Sequence, residues 1–146
     1  MGRKRAKNPD LEQILEVHRE LRQAIDRLRS VLRQEMAVSE ALPMLVELRR
    51  QLAAHFEHEE RGGYFREAVR RQPRLLAQAE LLKRQHGGFL TQLAELERLA
   101  EGAAMPPEQR RLRATFESFR LRFVEHEEGE NQLFLEAFAT DIGVGD

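Results

Sequence analysis

The stretch from Leu112 to Ala137, LRATFESFRLRFVEHEEGENQLFLEA, decides the fold. Read alternately four and three residues apart, it yields Leu112, Phe116, Phe119, Phe123, His126, Glu130, Leu133 and Ala137. That spacing traces one face of an α-helix that packs against other helices. The row is apolar except for His126 and Glu130, while most residues between its members are charged or polar. A helix with this row must bury it, and it carries a histidine and a glutamate into the interior.

The same spacing recurs three times upstream. A first row holds Leu11, Ile14, His18, Leu21, Ile25, Leu28 and Leu32. A second holds Leu45, Leu48, Leu52, His55 and Glu59, with Gly62 next, and a third holds Leu75, Ala79, Leu82, His86, Phe89, Leu93, Leu96 and Ala100. Leu, Glu, Arg, Gln and Ala, all strong helix formers, dominate throughout. Asp10 after Pro9 is placed to cap the first helix, Ser39 or Pro43 to open the second, Pro73 to divide the second from the third, and Gly102–Pro107 the third from the fourth. Four helices of about 20–30 residues with short connections predict an all-α, up-down-up-down antiparallel bundle over residues 10–140. Residues 1–9 read as a disordered basic arm, and residues 141–146 as a flexible tail.

Composition bounds the chemistry. The 146 residues suit one domain, and 24 Lys+Arg against 25 Asp+Glu leave a formal charge of −1, which argues against a strongly basic nucleic-acid-binding protein. No run approaches the roughly 18 apolar residues of a membrane span, and no signal peptide opens the chain, so a cytoplasmic location without membrane or nucleic-acid partners is expected. There is no cysteine, which excludes thiolate metal sites, iron–sulfur clusters and thiol nucleophiles. Oxygen and imidazole ligands remain.

Four of the five histidines sit on the buried rows, one per helix, at positions that share one layer within the uncertainty of the helix ends. Glu59 follows His55 by four residues and Glu130 follows His126 by four, so each pair projects from adjacent turns of one face. A lone buried histidine is an ordinary core residue. Two buried carboxylates with no Lys or Arg on the rows are another matter, because an unpaired buried charge costs several kcal/mol. A cation removes that cost. Six N/O ligands exceed one tetrahedral zinc and suit two ions bridged by Glu59 and Glu130, with His18, His55, His86 and His126 terminal. Iron, manganese and zinc all accept such donors.

This pattern, His18, then His55-Phe56-Glu57-His58-Glu59-Glu60, then His86, then His126-Glu127-Glu128-Gly129-Glu130-Asn131, resembles the hemerythrin-like (HHE cation-binding) domain family over about Asp10 to Ala139. The resemblance implies a four-helix bundle holding two iron ions (Fe2+/Fe3+) in an oxo- or hydroxo-bridged non-haem centre that meets dioxygen, peroxide or nitric oxide. It assigns the four histidines as terminal ligands and the two glutamates as bridges. The sequence departs from the oxygen carriers twice. They have a second histidine one turn from the first on the third helix, where this chain has Leu82 and Leu90 around His86. They also have Asp five residues after the last histidine, where this chain has Asn131. Both departures argue against reversible oxygen carriage and leave peroxide handling, redox or gas sensing and iron homeostasis.

Neighbouring residues have quieter readings. His58 flanks the second row or supports a ligand from outside, Tyr64 packs at a helix end or approaches the site as a ligand, proton donor or radical relay, and Glu60, Glu127 and Glu128 read as solvated surface, with Glu127 as a reserve ligand. Phe56, Phe89, Phe119 and Phe123 surround the layer and keep it dry. Gly62-Gly63 has two readings of equal weight, a helix end before Tyr64 or helix-interior glycines set close to the layer. Gly87-Gly88 sits in mid-helix, where glycine costs about 1 kcal/mol relative to alanine, and admits either a close neighbour or a small ligand. Two function classes follow: a redox-active di-iron protein with peroxidase- or oxidase-like turnover, and a non-enzymatic, metal-stabilised module for iron storage, sensing or partner binding.

Overall fold

The computed structural model describes residues 10–139. Among these residues the four apolar rows become α1 (Asp10–Leu32), α2 (Ala41–Arg61), α4 (Leu76–Glu101) and α5 (Pro106–Phe134), and a short helix, α3 (Tyr64–Arg71), stands between α2 and α4. A 3₁₀ segment, Glu35–Glu40, leads into α2, another, Pro73–Leu75, leads into α4, and a wide π-type turn, Leu135–Ala139, extends α5. The arm and tail expected at either end lie outside the described residues.

The four long helices form the expected antiparallel bundle. Arg22 pairs with Glu127 and Arg29 with Glu117, so advancing along α1 means retreating along α5. Arg49 with Glu97 and His86 with Glu60 set α2 against α4 in the same opposed sense. His126 beside Gln85, and Gly129 against Leu82, do so for α4 and α5. His18 meets His55, while Ala24 and Arg27 share a groove with Met44, Glu47 and Leu48, which makes α1 and α2 antiparallel too. No helix among the described residues is long and apolar enough to cross a membrane.

Three helix boundaries depart from the sequence expectations. Asp10 is the first residue of α1, and α2 opens at Ala41, between Ser39 and Pro43; Pro43 sits in its first turn, where a missing N–H costs nothing. The second helix does not run on to Pro73. It stops at Arg61, and α3 forms a fifth, short helix that the periodicity did not reveal. Gly62-Gly63 makes the break. Gly63 adopts φ +81, a left-handed conformation natural to glycine, and a Cβ on Gly62 would fall 2.6 Å from the His58 carbonyl oxygen.

The core is split. Leu21, Ile25, Leu28, Leu45, Leu52, Leu93, Leu112, Phe116 and Phe119 belong to one apolar cluster that fills the bundle from the middle to one end. Ile14, Phe65, Leu75, Leu82, Phe134 and Phe138 belong to a second, at the end covered by α3. Each fully buried Leu or Phe side chain contributes about 1.5–3 kcal/mol relative to exposure. Between the two clusters lies a layer of buried polar side chains.

Candidate metal centre

That layer holds His18 from α1, His55 and Glu59 from α2, His86 from α4, and His126 and Glu130 from α5. All six are buried, with Glu59 and Glu130 fully so. Each reaches the layer because its row is otherwise apolar: once the leucines and phenylalanines of a helix are packed, the polar member of the row has no route to solvent.

The six side chains sort into two halves. On one side His18 Nε2 and His55 Nε2 are 3.1 Å apart. Glu59 Oε2 lies 3.1 Å from His55 Nε2 and 3.5 Å from His18 Nε2, and Glu130 Oε1 lies 3.2 Å from His18 Nε2. On the other side Glu130 Oε2 lies 3.0 Å from both His86 Nε2 and His126 Nε2, and Glu59 Oε1 lies 3.5 Å from His86 Nε2. Each carboxylate therefore has one oxygen in each half. Atoms about 2.1 Å from a shared ion stand about 3.0 Å apart at right angles and about 3.4 Å at the tetrahedral angle, the range these donors occupy.

Two groups of donors are close enough to hold an ion: His18, His55, Glu59 and Glu130, and His86, His126 and Glu130. Both oxygens of Glu59, Glu130 Oε1 and His126 Nε2 have no hydrogen-bond partner although buried. Among the described residues no lysine or arginine pairs with either glutamate. Buried acceptors left in this state are costly, and a cation supplies what all of them lack. The donor set fits a metal.

The ring nitrogens facing away from the layer are also held. His18 Nδ1 donates to Asn131 Oδ1 at 2.7 Å, His86 Nδ1 to Glu60 Oε2 at 2.7 Å, and His126 Nδ1 to Gln85 Oε1 at 2.6 Å. With the proton on Nδ1, the Nε2 lone pair points at the carboxylates, as a metal ligand requires. Aromatic rings pack around the second half: Phe56 stacks on His86 at 3.9 Å, and Phe89 meets His126 edge-on at 5.0 Å.

Without a metal the layer stores charge. Burial opposes charge on His18, but Glu130 and Glu59 outweigh it and push the pKa up to about 10. His86 moves upward against burial for the same reason, with Glu130 the main partner. Burial likewise works against charge on Glu130, yet His126, His18 and His86 hold its carboxyl well below the usual range. A metal entering the site must displace the imidazole protons.

The structure thus brings all six sequence-predicted residues into one layer. His58 stays exposed and bonds the Tyr64 hydroxyl at 3.1 Å, and Tyr64 is buried at the start of α3 against Phe134. Phe56, Phe89 and Phe123 do contact the imidazoles, whereas Phe119 packs on Phe89 and Phe123 one step deeper in the core. One surface reading needs correction. Glu127 is fully buried beside Arg22, and burial pushes its pKa up to about 7; it belongs to neither donor group. Glu60 is exposed as expected, but its carboxylate anchors His86. Gln85 and Phe65, which lies 5.8 Å from the His86 ring, were not singled out by sequence reasoning.

No curated protein and no solved structure matches the chain. A protein-family comparison does, over residues 10–138, nearly the whole described bundle, with the hemerythrin HHE cation-binding domain. Match and buried donor set agree, and the chain belongs to the hemerythrin HHE cation-binding domain family.

Proposed function

We propose that the chain binds two iron ions, one between His18 and His55 and one between His86 and His126, with Glu59 and Glu130 bridging them. The observation that carries this reading is the division of each carboxylate, one oxygen to each imidazole pair. Manganese or zinc would be accepted by the same donors. Bound there, the iron pair supplies redox chemistry toward a small diatomic molecule or peroxide, in peroxide handling, oxygen or redox sensing, or iron homeostasis.

The protein's own residues serve that chemistry in definite ways. Four donors reach the first position (His18, His55, Glu59 and Glu130) and three the second (His86, His126 and Glu130), fewer than an octahedral ion takes, so exogenous ligands would complete each shell. Phe56, Phe65, Phe89 and Phe123 pack against the His86 and His126 rings and limit the water that reaches them. Small molecules have two approaches. A groove of about 400 Å³ between α4 and α5 is lined by His126, Gly88 and Gly129, and one of about 450 Å³ between α1 and α2 is lined by His55. A Cβ on Gly88 would meet nothing, which leaves the first groove open at the mid-helix glycines.

The test is metal analysis and absorption spectroscopy of protein made in iron-rich medium. We expect about two irons per chain, near-ultraviolet charge-transfer bands of a coupled ferric pair, and a spectral change on adding peroxide or nitric oxide to the matching oxidation state. Iron-loaded protein that lacks the bands and ignores dioxygen, peroxide and nitric oxide would leave metal-dependent stability as its only role, which is the non-enzymatic alternative.

A further inference from the structure

The two halves of the centre are supported unequally. In the His86/His126 half both imidazoles have an outer acceptor: the Glu60 carboxylate at 2.7 Å and the Gln85 amide oxygen at 2.6 Å. In the other half only His18 does, through the neutral Asn131 at 2.7 Å, and His55 Nδ1 has no acceptor among the described residues. Packing follows the same division. The His86 ring is stacked on Phe56 at an interplanar angle of 4°, with Phe65 beside it, and His126 is flanked by Phe89 and Phe123. The aromatic contacts of His55 are the edge of His18 and a tilted Phe56 at 6.0 Å.

Outer acceptors matter for two physical reasons. They fix the ring so that its lone pair is aimed before the ion arrives, and a charged acceptor makes the imidazole a stronger donor. Glu60 supplies both effects and Gln85 the first, each on the same half. We infer that the two metal positions differ in affinity: the His86/His126 position fills first and holds its ion more tightly, with Glu60 and Gln85 as its positioning residues. The His18/His55 position fills second and exchanges faster. This rests on the dinuclear reading above and adds an order to it.

The experiment is anaerobic titration of the metal-free full chain with Co²⁺, followed by calorimetry and visible absorption. Two equivalents are expected in two resolved steps. Losing an outer acceptor commonly costs 10–100-fold in metal affinity, so Glu60→Ala and Gln85→Ala should each narrow or close the gap between the steps by about that factor. Glu60→Gln, which keeps a hydrogen-bond acceptor without its charge, should close the gap less than Glu60→Ala. Asn131→Ala, acting on the weaker half, should widen it. The absorption of the first equivalent should shift in the Glu60 and Gln85 variants and not in the Asn131 variant.

A merely structural role would lower both steps together and leave their ratio unchanged, and that result overturns the inference. So do two equivalents taken up in one unresolved step by the unaltered chain. Saturation at a single equivalent overturns the dinuclear reading itself, which keeps the two failures distinct. Glu60 is exposed and Gln85 half-buried, so neither variant removes core packing.

Discussion

The polar layer divides the bundle into two cores that are built differently. The larger one draws Leu, Ile and Phe from all four long helices, in rows that hold over several turns. The smaller one, on the far side of the layer, relies on helix ends: Ile14 from the start of α1, Leu75 and Ala79 from around the start of α4, and Leu133, Phe134 and Phe138 around the end of α5. Its lid is α3, eight residues long, too short to be stable as a helix on its own. The larger core, drawn from all four long helices, is expected to hold the fold without the centre. The smaller core is tied to the rest of the molecule through the layer, and charge left unbalanced there weakens it first.

Truncating the larger core should produce the largest effect. Phe119 is fully buried between Phe89, Phe116 and Phe123. Phe119→Ala should cost about 3–5 kcal/mol in chemical denaturation. If the larger core is independent of the centre, metal-loaded and metal-free protein should lose the same amount. A loss confined to the loaded form would break the comparison.

Stripping the metal comes next. A ligand present at 100 times its dissociation constant adds about 2.7 kcal/mol of stability, and removal should forfeit roughly that. The loss should be uneven. By hydrogen exchange, amides of α3 and of residues 133–139 should lose protection, while those of α2 before Leu52 and of α5 near Phe116 keep theirs. Uniform loss along the chain would mean that the cores are one cooperative unit.

The same division explains what could be read in advance. The larger core and the layer were legible because long helices repeat their pattern, and a histidine or glutamate in an apolar row is conspicuous against it. Helix α3 was not, since its buried face between Gly63 and Pro73 is marked by Tyr64, Phe65 and Ala68, too few residues over too short a span to set a period. Glu60, Gln85 and Glu127 each sit one residue off a row, where polar side chains are ordinarily solvated. Only the packed helices show that Glu60 and Gln85 reach an imidazole Nδ1 and that Glu127 is enclosed. A sequence signal existed, adjacency to a ligand, but it does not distinguish these from Glu125, which precedes His126 and is exposed.

Glycine substitutions sharpen the contrast at about 1 kcal/mol. Gly63, at φ +81, holds the turn that launches α3, and Gly63→Ala should cost about 1–2 kcal/mol because an L side chain resists that conformation. Gly88 is helical, and a Cβ there meets nothing, so Gly88→Ala should stabilise the chain by about 0.5–1 kcal/mol. Thermal melts of the two variants should therefore move in opposite directions. Movement in the same direction would remove either the strain assigned to Gly63 or the open space assigned to Gly88.

The smallest expected effect lies on the surface of α3. The Arg70 guanidinium bonds the Glu67 carboxylate, and this outweighs the small burial cost; with help from Arg71 it brings the pKa from the ordinary 4.5 down to about 2. A carboxylate whose pKa is depressed by folding contributes stability that is complete above its unfolded pKa and disappears as pH falls through the folded one. The window is therefore about pH 4.5 down to about 2. Glu67 is partly exposed, so solvent screening limits the contribution to about 0–1 kcal/mol. Metal-free protein is the right sample, because acid protonates the imidazoles and would superimpose metal loss on the result. Metal-free Glu67→Gln should melt slightly below the unaltered metal-free chain at pH 6, and the two curves should converge as pH approaches 2. A gap that stays constant over that range would show that the Arg70–Glu67–Arg71 contacts do not fasten α3 through charge, leaving Tyr64, Phe65 and Ala68 as what holds the lid on the smaller core.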